Sequence, residues 1–237
     1  MKYLKDQVKM IYFDLDHTLW DFESNSQEAL KSVYQKYNHI FRGISLNRFV
    51  ESYKKINKQL WEMYRRKEIG QVELKLLRFE ITLNALKIKH REDLIEEMNN
   101  TYLEILSKQK LLVDGAMETL EYLKGKYELG ILTNGFRETQ IVKMKSSGIY
   151  DYFSILVSSE DVGFPKPDER IFNYAILMSK KSKDEIIYVG DDLENDILPA
   201  IKCGIDAIWF KNHEESLQIQ EKDVLAISKL IELKNIL

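Results

Sequence analysis

An apolar run of strand-forming residues, Val8 to Phe13, is broken only by Lys9 and passes without a turn residue into Asp14-Leu15-Asp16-His17-Thr18-Leu19. A strand serving only as core has no reason to end in two carboxylates spaced this way. Charges so close repel each other unless a cation or a shared proton relieves them. The junction therefore asks for a metal, a proton or both, and the rest of the chain has to be compatible with that demand.

The 237 residues suggest one large domain or two small ones, at roughly 150 residues per domain as a prior. A hydrophobic fraction of 44% is enough for a sizeable core. The net charge of -3, with no long basic run, argues against a nucleic-acid polymer or an anionic membrane as the main partner. The single cysteine, Cys203, reads as a packing residue and cannot form an internal disulfide, which fits a reducing compartment. No apolar run approaches the ~18 residues of a membrane span. The first apolar run is cut by Asp14 and Asp16 and makes no signal peptide. The expectation is a soluble cytoplasmic protein, monomeric or homodimeric.

From about Phe22 to Ser107 the apolar spacing is helical. Leu30, Val33, Tyr34 and Tyr37 form one stripe. Leu46, Phe49, Val50, Tyr53, Leu60 and Tyr64 form a second, on a helix that Ser45 can cap. Val72, Leu76, Phe79, Leu83 and Leu86 form a third, and Leu94, Met98, Tyr102 and Ile105 a fourth. Gly43 and Gly70 fall at turns between them. Beyond Leu112 helices alternate with short apolar strands. Strands are expected at Leu129 to Leu132, Ser154 to Val157, Glu185 to Val189 and, last, Ala207 to Phe210; one of the helices is expected to begin near Pro167. The pattern predicts an α/β fold, a doubly wound Rossmann-like parallel sheet covered on both faces, with an inserted four-helix domain. The expected division is 1-21 with 108-237 for the α/β core and 22-107 for the insert.

Sheets of this kind bind ligands at the carboxyl ends of their strands, where strand order reverses. Asp14 and Asp16 stand at one such end, Thr133-Asn134-Gly135 at a second, Lys166 between two prolines past a third, and Gly190-Asp191-Asp192 followed by Asp196 at a fourth. Together they suit hydrolytic phosphoryl transfer. Asp14 and Asp191 can supply oxygen ligands to Mg²⁺. One carboxylate can attack phosphorus and a second can protonate the leaving oxygen. Lysine and threonine can hold phosphate oxygens.

The set resembles the haloacid dehalogenase superfamily, and its phosphatases in particular, over nearly the whole chain. Asp14-Leu15-Asp16-His17-Thr18-Leu19 is similar to the first motif of that family, with His17 at a tolerant position. Leu132-Thr133-Asn134-Gly135 is similar to the second, Lys166-Pro167 to the third, and Gly190-Asp191-Asp192 with Asp196 to the fourth. The resemblance implies that Asp14 is the nucleophile and Asp16 the acid and base. It implies that Thr133, Asn134 and Lys166 bind the phosphate. Mg²⁺ would be held by Asp14, Asp191 and the backbone carbonyl of Asp16, with Asp192 and Asp196 in support behind them. The helical insert corresponds to the family's cap.

Asn57-Lys58-Gln59-Leu60-Trp61, Arg78-Phe79-Glu80 and the run from Tyr152 through Asp161 to Phe172 look similar to the bacterial pyrimidine 5'-nucleotidase branch. That implies a small-molecule phosphate ester, a pyrimidine nucleoside monophosphate, as substrate. Phosphoglycolate and sugar phosphates are the alternatives. Dehalogenation stands further off, because a dehalogenase does not need Asp16 and Thr18, and so does a mutase reaction, which returns the phosphoryl group to a substrate and would be excluded by release of inorganic phosphate. Trp61, Tyr64, Arg65, Arg66 and Arg78 are candidates for substrate specificity, against a plainer reading as core aromatics and surface charges.

Overall fold

The computed structural model describes residues 7–212 and 224–237. His213, for which the sequence suggests a surface position, lies outside the described residues. The chain separates into two compact units, Met1–Phe22 with Lys110–Leu237, and Glu23–Gln109.

The first unit is built on a six-stranded parallel sheet. Its strands are β1 (Met10–Phe13), β2 (Glu128–Thr133), β3 (Ile155–Ser158), β4 (Ile186–Gly190), β5 (Asp206–Phe210) and β6 (Leu225–Ile227), in the order β3-β2-β1-β4-β5-β6. β1 and β4 are buried along their whole length, as parallel strands covered on both faces must be. Strand order reverses between them: β2 and β3 extend the sheet on one side of β1, β4 to β6 on the other. Phe13 pairs in register with Val189 and Ile131, so the residues that follow β1, β4 and β2 emerge side by side.

β6 is an addition to the strands expected from sequence. It pairs parallel with β5, Ile208 to Leu225 and Phe210 to Ile227. Three residues at a sheet edge, with only Ile227 buried, carry too little periodicity to be read without their partner. The helix expected to begin near Pro167 runs over Glu169–Ser179. Asp168 is its cap, accepting from Arg170 N at 3.1 Å.

The second unit consists of α1 (Phe22–Lys36, whose first residue belongs to the sheet unit), α2 (Leu46–Arg65), α3 (Gln71–Ala85) and α4 (Glu92–Ser107). Ser45 caps α2 through Arg48 N. Gly70 precedes α3 and donates its N–H to Glu73 Oε2 at 2.7 Å. Rings fill the centre. Tyr53 lies 5.1 Å from Phe79 and 5.3 Å from Tyr102 by ring centroids. The third stripe differs from its expected membership. Val72 is 69% exposed on the first turn of α3, whereas Leu74, Arg78, Phe79, Thr82 and Leu83 face inward. No helix among the described residues is long and apolar enough to cross a membrane.

Gly130 leaves the space that the Met10 and Tyr12 side chains occupy. A Cβ there would lie 2.4 Å from Met10 Cε and 2.5 Å from Tyr12 Cε1. Gly130→Ala is expected to lower stability by about 1–3 kcal/mol, the usual cost of overpacking a core. The check is the urea midpoint followed by far-ultraviolet circular dichroism, and an unchanged midpoint would mean that the Met10 and Tyr12 side chains can move aside freely.

Candidate active site

The site grows from the reversal point of the sheet. Asp14 follows β1, and its backbone N donates to Val189 O at 2.9 Å, which ties it to the end of β4. There Gly190 leads into Asp191. Gly190 is required by what packs against it, since a Cβ would fall 2.5 Å from Asp196 Oδ2 and 2.8 Å from Asp196 Cβ. Asp196 sits in the turn Leu193–Ile197 that precedes the short helix Leu198–Lys202. Carboxylate oxygens of Asp14, Asp191 and Asp196 all lie within 4.8 Å of one another.

Lys166 stands among them, with its side chain 4% exposed. Its Nζ donates to Asp14 Oδ1 at 2.7 Å, Tyr188 OH at 2.9 Å and Leu132 O at 3.1 Å, and pairs with Asp196 Oδ1 at 2.7 Å. The Tyr188 hydroxyl donates onward to Asp196 Oδ1 at 3.0 Å. Asn134 locks the lysine's backbone from both sides. Its Nδ2 donates to Lys166 O at 2.9 Å and its Oδ1 accepts from Lys166 N at 2.7 Å. The Asn134 amide is thus committed to positioning Lys166. Asp191 accepts from Thr18 Oγ1 at 3.0 Å, and its carbonyl accepts from Trp209 Nε1 at 2.9 Å.

Burial pushes the Asp14 carboxyl well above the usual carboxylate range; Lys166 opposes the shift, and Asp196 and Asp191 add to it. Asp196 is raised for the same first reason, again with Lys166 opposing. Burial works against the ammonium of Lys166, but Asp14 and Asp196 outweigh it and hold its pKa above the ordinary lysine value. When all three carboxylates are ionised, one ammonium cannot balance them. Hard oxygen donors with an excess of negative charge fit a divalent cation such as Mg²⁺.

The remaining sequence candidates divide. The Asp16 carboxylate is not part of the three-carboxylate cluster. It pairs with Lys143 Nζ at 2.6 Å and accepts from Gln140 Nε2 at 2.9 Å. Thr133 Oγ1 accepts from Gly135 N and from the same Gln140 amide. Asp192 is the cap of the turn after β4, accepting from Glu194 N and Asn195 N at 3.0 Å each, and its backbone N donates to Asp196 Oδ2 at 3.3 Å.

In the helical unit, Trp61 and Tyr64 are half-buried and meet edge to face at 5.6 Å. Arg65 is half-buried beside them. Arg66 is exposed and paired with Glu62 and Glu68. Arg78 departs from the surface reading. It is 3% exposed, donates through Nε and Nη2 to Asn99 Oδ1, and lies 5.0 Å over the Tyr102 ring. It is a core cation of the helices, unlike the exposed Arg66.

Gln140, Lys143 and Tyr188 are site residues that the sequence reading passes over. The signal for the first two is faint: a glutamine and a lysine three apart in a helix look like solvated surface until the helix is placed. Tyr188 is the one polar atom in an otherwise apolar strand.

The sequence profile of the haloacid dehalogenase-like hydrolases matches residues 8–204. The chain belongs to that family. It is a phosphatase of the family, a phosphoric monoester hydrolase. It is 30% identical over 228 residues to the pyrimidine 5'-nucleotidase YjjG of Escherichia coli K12, covering 96% of each chain. It is 29% identical over 208 residues to the pyrimidine 5'-nucleotidase PynA of Streptococcus pneumoniae R6, covering 86% of this chain and 84% of that one. Among solved structures, the HAD-hydrolase YfnB of Bacillus subtilis, bound to magnesium, superposes with a TM-score of 0.86 at 28% identity, over 98% of this chain and 99% of that one.

Lys166→Met leaves two buried carboxylates without their cation. In metal-free buffer the variant is expected to lose roughly 3–5 kcal/mol of stability, as when one partner of a buried pair is removed. Millimolar divalent cation should recover part of that loss. Urea denaturation with and without the cation checks both statements, and an unchanged midpoint would show that the carboxylates are not held by Lys166.

Proposed function

We propose that this phosphatase is Mg²⁺-dependent, works through an aspartyl-phosphate on Asp14, and acts on pyrimidine nucleoside 5'-monophosphates. The observation that carries the chemical part is the buried Asp14 held by Lys166 beside Asp191 and Asp196 at the reversal point of the sheet. The substrate part draws support from the likeness to YjjG along almost the full length of both chains.

Asp14 and Asp191, with the backbone carbonyl of Asp16, would hold Mg²⁺. When bound, the ion offsets the charge of the phosphate facing the nucleophile. An Asp14 oxygen attacks phosphorus, and the bond from phosphorus to the leaving oxygen breaks. Asp16 passes a proton to that oxygen. Asp16 then takes a proton from the water that attacks the phosphoenzyme, the bond to Asp14 breaks, and inorganic phosphate leaves. Lys166 and Thr133 hold the phosphate oxygens through both steps, where phosphoryl transfer gains most of its help. Asp196 serves by fixing Lys166.

These groups handle only the phosphoryl moiety, which all phosphate monoesters share. Selection among esters falls to the helical unit acting as a cap. Trp61 and Tyr64 present aromatic surface of the kind on which a base stacks, worth roughly 1–3 kcal/mol per base at other sites.

The direct test is phosphate release from a panel of pyrimidine and purine monophosphates, sugar phosphates and phosphoglycolate. Pyrimidine monophosphates should lead the panel, activity should vanish in chelator, and Mg²⁺ should restore it. A panel led by sugar phosphates or phosphoglycolate would remove the nucleotide reading, and full activity in excess chelator would remove the metal. Asp14→Asn, nearly isosteric, should cost roughly 10⁴-fold or more in kcat with the fold retained. Trp61→Ala should raise KM for a nucleoside monophosphate and leave p-nitrophenyl phosphate comparatively unaffected. Equal losses on both, with a lower melting temperature, would make Trp61 a packing residue.

A further inference from the structure

Two buried polar side chains have no part in the chemistry above, although both touch its acid–base residue. Gln140 and Lys143 lie on the helix Arg137–Ser146, which starts two residues after Gly135, and they are 0% and 3% exposed. Lys143 Nζ donates to both oxygens of Asp16, at 2.6 and 2.9 Å. Gln140 Nε2 is shared between Asp16 Oδ2 and Thr133 Oγ1, at 2.9 Å to each. The Lys143 ammonium also lies 4.4 Å from the Trp20 ring centroid and 5.5 Å from that of Phe22. Gly135 makes room for the amide, since a Cβ there would fall 2.0 Å from Gln140 Nε2. A helix that only covered a sheet would place apolar residues at these two positions, because a buried ammonium or amide costs free energy unless it is bonded. Here the ammonium and the amide Nε2 are both bonded, and both to the same carboxylate, while Gln140 Oε1 is buried without a hydrogen-bond partner.

We propose that Lys143 and Gln140 are positioning residues for the reaction: they hold the Asp16 carboxylate at a fixed distance and angle from the phosphate-holding Thr133, so that Asp16 meets the leaving oxygen. The inference rests on the reading of Asp16 as the proton carrier. Contact with both oxygens removes the free rotation of the carboxylate. The shared amide sets its spacing to Thr133. Neither residue gives up a proton or touches the substrate; the proton that reaches the leaving oxygen is the one Asp16 carries. A displacement of about 1 Å in such a group can cost on the order of 100-fold in rate.

The experiment uses Lys143→Met, which keeps length and removes the ammonium, and Lys143→Arg, which keeps the charge. Gln140→Met serves as the parallel variant should Lys143→Met fail to fold. Rates are measured on the alkyl phosphate ester best hydrolysed by the wild type and on p-nitrophenyl phosphate, whose leaving group needs little protonation. Lys143→Met should lower kcat on the alkyl ester by roughly 10- to 100-fold with KM nearly unchanged. The loss on p-nitrophenyl phosphate should be much smaller, and Lys143→Arg should recover most of the alkyl-ester rate. Added to Asp16→Asn, Lys143→Met should cost little further, as expected of residues acting as one unit. Equal losses on the two substrates, or a full additional loss on top of Asp16→Asn, would overturn the proposal. If Asp16→Asn separates the two substrates and Lys143→Met does not, positioning alone is refuted. If Asp16→Asn does not separate them, the role of Asp16 itself falls, and the proposal with it.

Discussion

The contact between the Lys166 ammonium and the carboxylates of Asp14 and Asp196 is the constraint on which the site depends. Three carboxylates would not remain close together without it, and burial already resists the ionisation of Asp14 and Asp196. Much of the surrounding structure serves this one lysine. Asn134 grips its backbone, Tyr188 bridges it to Asp196, and Gly190 leaves the space that Asp196 fills. The sheet does the coarse work. By pairing Phe13 with Val189 it brings two acidic loops together that lie far apart in sequence.

A second network repeats the arrangement with different partners. Asp16 is held by Lys143 and Gln140, and Gln140 reaches on to Thr133. The two carboxylates of the first motif, two residues apart, therefore stand in separate surroundings, each with its own buried lysine. Such separation suits the proposed division into nucleophile and proton carrier, because different surroundings give chemically identical groups different tasks.

Most of the fold was legible in the sequence because its strands are short apolar runs bounded by chemically unusual residues. The junction at Asp14 and the four apolar stripes of the insert are strong local signals. β6 was not legible: Leu225–Ile227 is a strand only because Phe210 and its neighbours stand beside it. The helix expected near Pro167 begins at Glu169, where Asp168 supplies the cap. In the site, the residues that end strands could be read, whereas those that reach in from helix faces could not. Lys143 and Arg78 look like surface cations in sequence and are buried in the structure, since a long side chain can enter a core wherever a polar partner waits. Asp192, expected in support behind the metal ligands, caps the turn after β4, a task that its place in the sequence does not reveal.

The path of the chain out of the sheet unit and back carries a consequence of its own. Trp20 bridges to Leu112, and Asp21 N donates to Leu111 O at 3.1 Å, so the outgoing and returning segments are stitched together next to the exit. An insertion whose ends already meet imposes almost no closure demand on its host. Such a neck lets evolution exchange or reshape the inserted helices while the host's own hydrogen bonds stay intact. A lineage built this way can change what it recognises without having to reinvent how it reacts.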